Sequence, residues 1–348
     1  LNQRVFLTSV KRISEIAIIS ILILLILTSL TVEAKKKTLI NNNMNLPLFL
    51  WYASNKTAQE EAKVLGMNQT EYLEYVILRK FGLNKPLYVL IPQQIKSAIT
   101  YIGQNREYIL ISTFRTVLLL LLVQGFILVF GLLIGVLAGY KRDGFLDKLV
   151  STLAPVSNGV PSWWIAGMLL LILSLKFNLF PASGYMSIPP KTGLYYYYLD
   201  IAKHLVLPFL ALFLARFWEY AFIVRSLIFE EFKRDYILVA EAKGVPKKKI
   251  LWGHALRNIL PSFLTFTTYN FLDLLTSVFV IDIVFDLRGL GTLLRISFFR
   301  TLVSARGIFT TLRPELFLSI CIIIMILYLV VSAILETLYI YLDPRIGG

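Results

Sequence analysis

Ser262, Thr265, Tyr269, Asp273 and Thr276 recur at steps of three or four residues within one apolar stretch, which places them on one face of a helix, with Asn270 beside it. Hydroxyls, a phenol, an amide and a carboxylate on one stripe suit the wetting of a passage through an apolar medium. Asp273 is the sharpest member, because a carboxylate this deep in apolar sequence is costly unless paired or hydrated. Arg216 and Glu219, in the preceding apolar stretch, are the charged residues in reach: they pair with Asp273, pair with each other, or snorkel to the membrane surface. A structural ion pair is favoured over a substrate ligand. Thr265, Tyr269, Asn270, Asp273, Thr276 and Arg216 form the candidate translocation path.

Bond-making chemistry finds no carrier in this sequence. There is no G-x-x-x-x-G-K-[ST] loop to cradle a nucleotide phosphate. His204 and His254 are the only histidines and Cys321 the only cysteine, so neither a histidine metal centre nor a cysteine framework is expected. No nucleophile lies in a pattern with a base. The expectation is no catalytic residue, no metal site and no cofactor in this chain.

A second cluster has the character of a docking element. Between two strongly apolar runs, residues 225–258 carry eight Lys or Arg. Asp235 is a good N-cap, a short helix runs to Lys243, Gly244 supplies the C-terminal turn, and Pro246 suits the first turn of a second helix ending near Pro261. Two helices meeting at a glycine corner present Ala240, Glu241, Ala242, Lys243, Gly244, Val245 and Pro246. Ala242 and Gly244 are small where a partner backbone would approach, and Glu241 offers an anchor for basic or amide groups.

The elements that position these residues are membrane helices. Apolar residues make up 57% of the 348 and charged ones 16%, with a mean hydropathy of +0.71. Six segments are long enough to cross a bilayer, near Ile16–Val32, Val117–Tyr140, Trp163–Leu175, Leu205–Val224, Ile259–Phe285 and Leu316–Tyr341. The third begins earlier, around Leu149, with Pro155 and Pro161 irregular at its entrance. The net charge of +14 is gathered in short loops, which fits membrane topology and not nucleic acid. Lys141, Arg142 and Lys148, with the 225–258 loop, go inside, so both termini are cytoplasmic. The arginines between spans five and six (Arg288, Arg295, Arg300, Arg306 and Arg313) run against this rule.

Residues 33–112 are too long for a structureless loop and are expected to fold as a helical extracellular subdomain between the first helix (1–32) and a transmembrane core (113–341), with a cytoplasmic tail at 342–348. Thr57 to Glu60 reads as a capping box, Asn68 with Glu71 as a second N-cap, and Gly82 as a helix stop. Asn55 and Asn68 also head the chain's two N-x-S/T sequons, candidate N-glycosylation sites, although Asn68 also reads as a plain cap. Gly131, Gly135 and Gly139 form a small-residue ridge for close helix packing. Tyr195 to Tyr198 suit a headgroup region, or less readily a substrate platform.

The order Glu241-Ala242-x-Gly244, with Ile259-Leu260-Pro261 beyond it, resembles the "EAA" loop of permease subunits of binding-protein-dependent ABC importers. Further segments in the family's order resemble its dipeptide/oligopeptide/nickel type: Leu83 to Val89, Gly159 to Trp164, Phe180 to Tyr185, His204 to Pro208, Arg225 to Tyr236, Val284 to Gly291, and Leu342 to Ile346. Three departures stand out. Asp282 occupies the place of a usual Glu, Lys243 that of a second Ala, and Phe299 to Leu318 is longer than typical. The resemblance implies an all-α, six-helix type I ABC permease fold that imports di- or oligopeptides and is not itself an enzyme. It also implies partners: a homologous second permease, two ABC ATPases that bind ATP and Mg, an extracellular solute-binding protein, and membrane lipid, with no nucleic acid. An oligosaccharide importer of the same architecture is the alternative. An ATP-independent secondary transporter would lack the docking loop and show inverted repeats.

Overall fold

The computed structural model describes residues 2–44, 46–190, 193–298, 300–304, 307–311 and 313–342. Five helices are long and apolar enough to span a bilayer: Ile13–Asn43, Arg106–Tyr140, Leu194–Glu231, Lys247–Phe285 and Pro314–Leu338. The pair Phe145–Gly159 and Ser162–Lys176, bent by 97°, makes a sixth crossing when its two halves count as one span. The protein is a helical, multi-pass membrane protein, with one short hairpin among the described residues.

The chain divides into two compact units. Unit 1 gathers residues 1–15, 107–293 and 327–348. Its elements include most of α6 (Arg106–Tyr140), α7 (Phe145–Gly159), α8 (Ser162–Leu169, continued by a π turn to Lys176), α9 (Leu194–Glu231), α10 (Asp235–Ala242), α11 (Lys247–Lys249) and α12 (Leu256–Phe285). The α9 helix is the hub, packing against α7, α8 and α12. The glycine ridge seats α6 on α9: a Cβ on Gly135 would stand 2.5 Å from the Ala221 carbonyl oxygen, and one on Gly139 2.6 Å from that of Arg225. Only glycine permits this approach.

Unit 2 gathers residues 16–106 and 294–326. It holds the apolar part of α1 (Asn2–Asn43), then α2 (Leu46–Ser54), α3 (Lys56–Val64), α4 (Gln69–Lys80) and α5 (Leu87–Gln104). Ala58, Ala62 and Tyr72 form a small core between α3 and α4, with Tyr52 of α2 against it. The Tyr72 hydroxyl donates to Glu61 at 2.8 Å, and burial together with that carboxylate pushes its pKa up to about 12. The second stretch supplies most of α13 (Leu290–Phe298), the antiparallel strands β1 (Arg300–Ser304) and β2 (Gly307–Thr311), and the start of α14 (Pro314–Leu342). Leu318 and Ile322 pack on Ala98, and Glu315 pairs with Lys35 at 2.8 Å.

Several boundaries differ from the sequence expectation. The first helix does not stop at Val32 but runs through Lys35–Lys37 to Asn43, since nothing there breaks a helix and Glu33 and Glu315 take up Lys36 and Lys35. The expected 33–112 subdomain therefore begins inside α1, and the lengthened 299–318 segment folds partly as the hairpin. The α3 cap is Asn55, not Thr57: its Oδ1 accepts from the Ala58 amide at 3.1 Å. Asn68 forms the full capping box with Glu71, and Gly82, at φ +68°, ends α4. The expected tail 342–348, with the Asp343–Ile346 match, lies outside the described residues beyond Leu342.

Candidate functional site

The 225–258 segment folds as two helical pieces around a sharp corner. α10 begins at Asp235 itself; Arg234 holds the N-cap position, so Asp235 acts from the first turn, where a carboxylate complements the helix dipole. The corner is a Schellman closure: the Val245 amide donates to Ala240 O at 3.1 Å and the Gly244 amide to Glu241 O at 2.9 Å. Gly244 adopts φ +74°, which side-chain-bearing residues rarely take, and a Cβ there would meet open space. Its glycine is required by backbone conformation. Pro246 starts α11 as its N-cap and accepts from the Ile250 amide at 3.1 Å.

The second helix does not end near Pro261. Lys247 to Phe285 is one helix, passing through a π turn at Ile250–Ala255 and carrying Pro261 within it. Glu231, the last residue of α9, fastens the corner to both neighbours by accepting from Tyr236 Oη at 2.7 Å and Asn258 Nδ2 at 3.0 Å. Burial, then the Glu231 contact, pushes the Tyr236 pKa up to about 12, so the phenol keeps its donor proton across the physiological range. On the outside of α10, Leu238 and Val239 are more than half exposed beside exposed Glu241, Ala242 and Lys243. Glu241 meets Lys247 at 3.6 Å across the corner. The arrangement is a braced hairpin with an apolar and acidic outer face. The sequence reading missed Leu238, Val239 and Glu231; two adjacent apolar residues in a charged loop were the available signal.

Near the same end of α9, Arg225 Nε donates to Asp147 Oδ1 at 2.5 Å, and Asp147 also accepts from the Asp143 amide at 2.8 Å. This ties the start of α7 to α9. At the far end of α12, the buried Asp282 accepts from the amides of Gly289 and Thr292, at 3.0 and 2.9 Å, and from Thr292 Oγ1 at 3.0 Å, while Thr116 accepts from the Leu290 amide. A Cβ on Gly289 would reach 2.8 Å from Asp282 Oδ2. The residue that departs from the family pattern thus holds the Val284–Gly291 turn.

The predicted polar face of α12 is not one wall of free polar groups. Thr265 Oγ1, Asn270 Nδ2 and Thr276 Oγ1 donate to backbone carbonyls of their own helix, those of Pro261, Phe266 and Asp273, at 3.0, 3.0 and 2.8 Å. Tyr269 is 81% exposed. Asp273 pairs with Arg216 of α9, which also lies 3.7 Å from Glu219 and donates to Ser277 Oγ at 3.3 Å. Arg216, Thr276 and Ser277 border a cleft of about 270 Å³ with Ser157, Asn158 and Ser162 from the bend between α7 and α8. Asn55 and Asn68 are held as helix caps in unit 2. Among the described residues no group of three or more His, Cys, Asp or Glu side chains is placed to hold a metal.

Residues 131–348 match the family model described as the binding-protein-dependent transport system inner membrane component. A putative peptide transport system permease protein of Brucella abortus is 32% identical over 231 residues, 66% of this chain and 68% of its own length. The dipeptide transport system permease protein DppB of Bacillus subtilis is 32% identical over 216 residues, 62% of each chain. The peptide transport system permease protein SapB of Salmonella typhimurium is 30% identical over 193 residues, covering 51% of this chain and 60% of SapB.

Proposed function

As this chain belongs to the binding-protein-dependent transport system inner membrane components and is an ABC importer permease of the peptide type, we propose that it forms half of a translocation path for di- or oligopeptides delivered by a solute-binding protein. The observation that carries the reading is the braced corner at Gly244, because it joins an exposed docking face to the membrane-length helix Lys247–Phe285. ATP and Mg are bound by two separate ABC ATPases, one of which seats residues 240–246. A homologous second permease completes the path. The corner and both termini face the cytoplasm, and residues 33–112 face outward. Movement of the ATPases reaches Asp273 and Arg216 through α12 and α9, where two arrangements of the pair correspond to the two access states.

The test is uptake in cells lacking only this chain. ATP-dependent entry of a radiolabelled dipeptide should vanish and return with the wild-type chain. Preserved dipeptide uptake with loss of labelled oligosaccharide uptake would overturn the peptide assignment, and no loss of either would overturn import altogether. An impermeant thiol reagent should reach a cysteine at position 68, and not one at 243, in intact cells of a Cys321→Ser background.

A further inference from the structure

A cleft of about 630 Å³ at the end of α6 takes Lys248, Leu251 and Trp252 from the 225–258 segment but none of the corner residues 240–246. Leu137, Tyr140, Leu251 and Trp252 give it an apolar wall, and Lys141 and Lys248 also line it; no carboxylate does. The acids nearest in sequence are engaged elsewhere: Asp143 with Arg142, Asp147 with Arg225 and Glu241 with Lys247. Among the described residues neither Lys141 nor Lys248 has an ion-pair partner. Two unanswered cations above an apolar wall call for a ligand with an anionic head and an apolar body.

The surroundings narrow the ligand to a lipid. The cleft lies where the spans Arg106–Tyr140 and Lys247–Phe285 have their ends, and there Tyr140 and Trp252 suit the headgroup layer. Below Leu137, α6 leaves Leu133, Phe130 and Phe126 exposed by 39%, 43% and 46%. Together with Leu137, their steps of three and four make one stripe, about 16 Å long at ~1.5 Å per residue, against ~15 Å for the hydrocarbon of one leaflet. We propose that this cleft binds an anionic phospholipid, with its phosphate between Lys141 and Lys248 and an acyl chain along the α6 stripe. Basic pockets between spans are suited to such headgroups. The inference does not depend on which solute is transported.

The experiment uses the purified transporter complex in nanodiscs of phosphatidylcholine containing a minor fraction of phosphatidylglycerol, with retained lipid read by native mass spectrometry. Wild type should retain phosphatidylglycerol selectively. The Lys141→Gln/Lys248→Gln variant should hold it about twenty-five-fold more weakly, each cation near a charged surface contributing roughly a fivefold factor, and the Lys141→Arg/Lys248→Arg variant should hold it as wild type does. Equal retention of the two lipids by wild type would overturn the proposal whether or not the variants assemble. So would a glutamine variant that keeps phosphatidylglycerol but sheds an ATPase, since the cleft would then serve a protein partner.

Discussion

Gly135→Ala should loosen the α6–α9 contact by an amount that can be estimated from the structure. The new methyl would lie 2.5 Å from the Ala221 carbonyl oxygen and 2.6 Å from Val224 Cβ, where carbon contacts need about 3.5 Å. Both obstacles belong to a helix held by its own hydrogen bonds, so relief requires the two helices to part by about 1 Å. Overpacking of this kind costs about 1–3 kcal/mol, and alanine's helix preference over glycine returns up to ~1 kcal/mol, leaving a net loss of up to about 2 kcal/mol. Gly125, on the same helix, supplies the control: a Cβ there would meet nothing within 4 Å, so Gly125→Ala keeps the propensity gain without the clash. Thermal denaturation of the complex, followed by fluorescence-detected size-exclusion chromatography, should place the Gly135→Ala midpoint a few °C below wild type and Gly125→Ala at or above it. Equal midpoints for the two alanine variants would refute the argument that the ridge sets helix separation.

Gly244→Val should leave the chain in the membrane yet abolish ATP-driven uptake, because valine cannot hold φ +74° without strain; immunoblotting beside an uptake assay reads both, and full transport would remove the coupling role of the corner. Asp273→Asn leaves Arg216 with Glu219 as its sole carboxylate, and because Asp273 is half exposed the stability loss should be modest, ~1 kcal/mol. A shift in uptake of charged relative to neutral peptides with unchanged stability would instead make Asp273 a substrate contact. The folded state binds the Tyr72 proton more tightly than the unfolded chain, so the stability this phenol contributes is complete below pH ~10 and is lost as pH rises through about 12. Melting curves from pH 9 to 12 should therefore fall less steeply for Tyr72→Phe than for wild type; parallel curves would contradict the raised pKa.

Features written into neighbouring residues were legible in the sequence, and features written into distant ones were not. Gly244 and Gly82 mark positive φ because that requirement is local, and Asn68 caps a helix whose amides lie three residues on. The glycine ridge of α6 was readable as a packing surface, though not which helix it meets. Arg225 and Asp147 stand 78 residues apart in sequence, and no spacing rule joins them. The same is true of Glu315 and Lys35, and of residues 294–326 joining the unit built from 16–106. The predicted helix ends at Val32 and near Pro261 failed for another reason: a long helix tolerates charge, as at Lys35–Lys37, and even one missing donor, when the turns on both sides are intact. The period of the α12 polar face was legible in the sequence, but not that its hydroxyls and amide also donate to carbonyls of their own helix.

In the proposed transporter the continuous helical run from Lys247 to Phe285 would act as a rocker beam. Its 39 residues extend about 58 Å, so a tilt of ~5° about the midpoint carries each end about 2.5 Å in opposite directions. Asp273 lies roughly 10 Å beyond the midpoint and travels about 0.9 Å, which stretches its contact with Arg216 without parting the pair. The π turn at Ile250–Ala255, with its looser hydrogen-bond ladder, is where such a beam would flex first, next to the load and not at its centre. A stiffer turn there would transmit more of each stroke, and a softer one would absorb it before the membrane felt it.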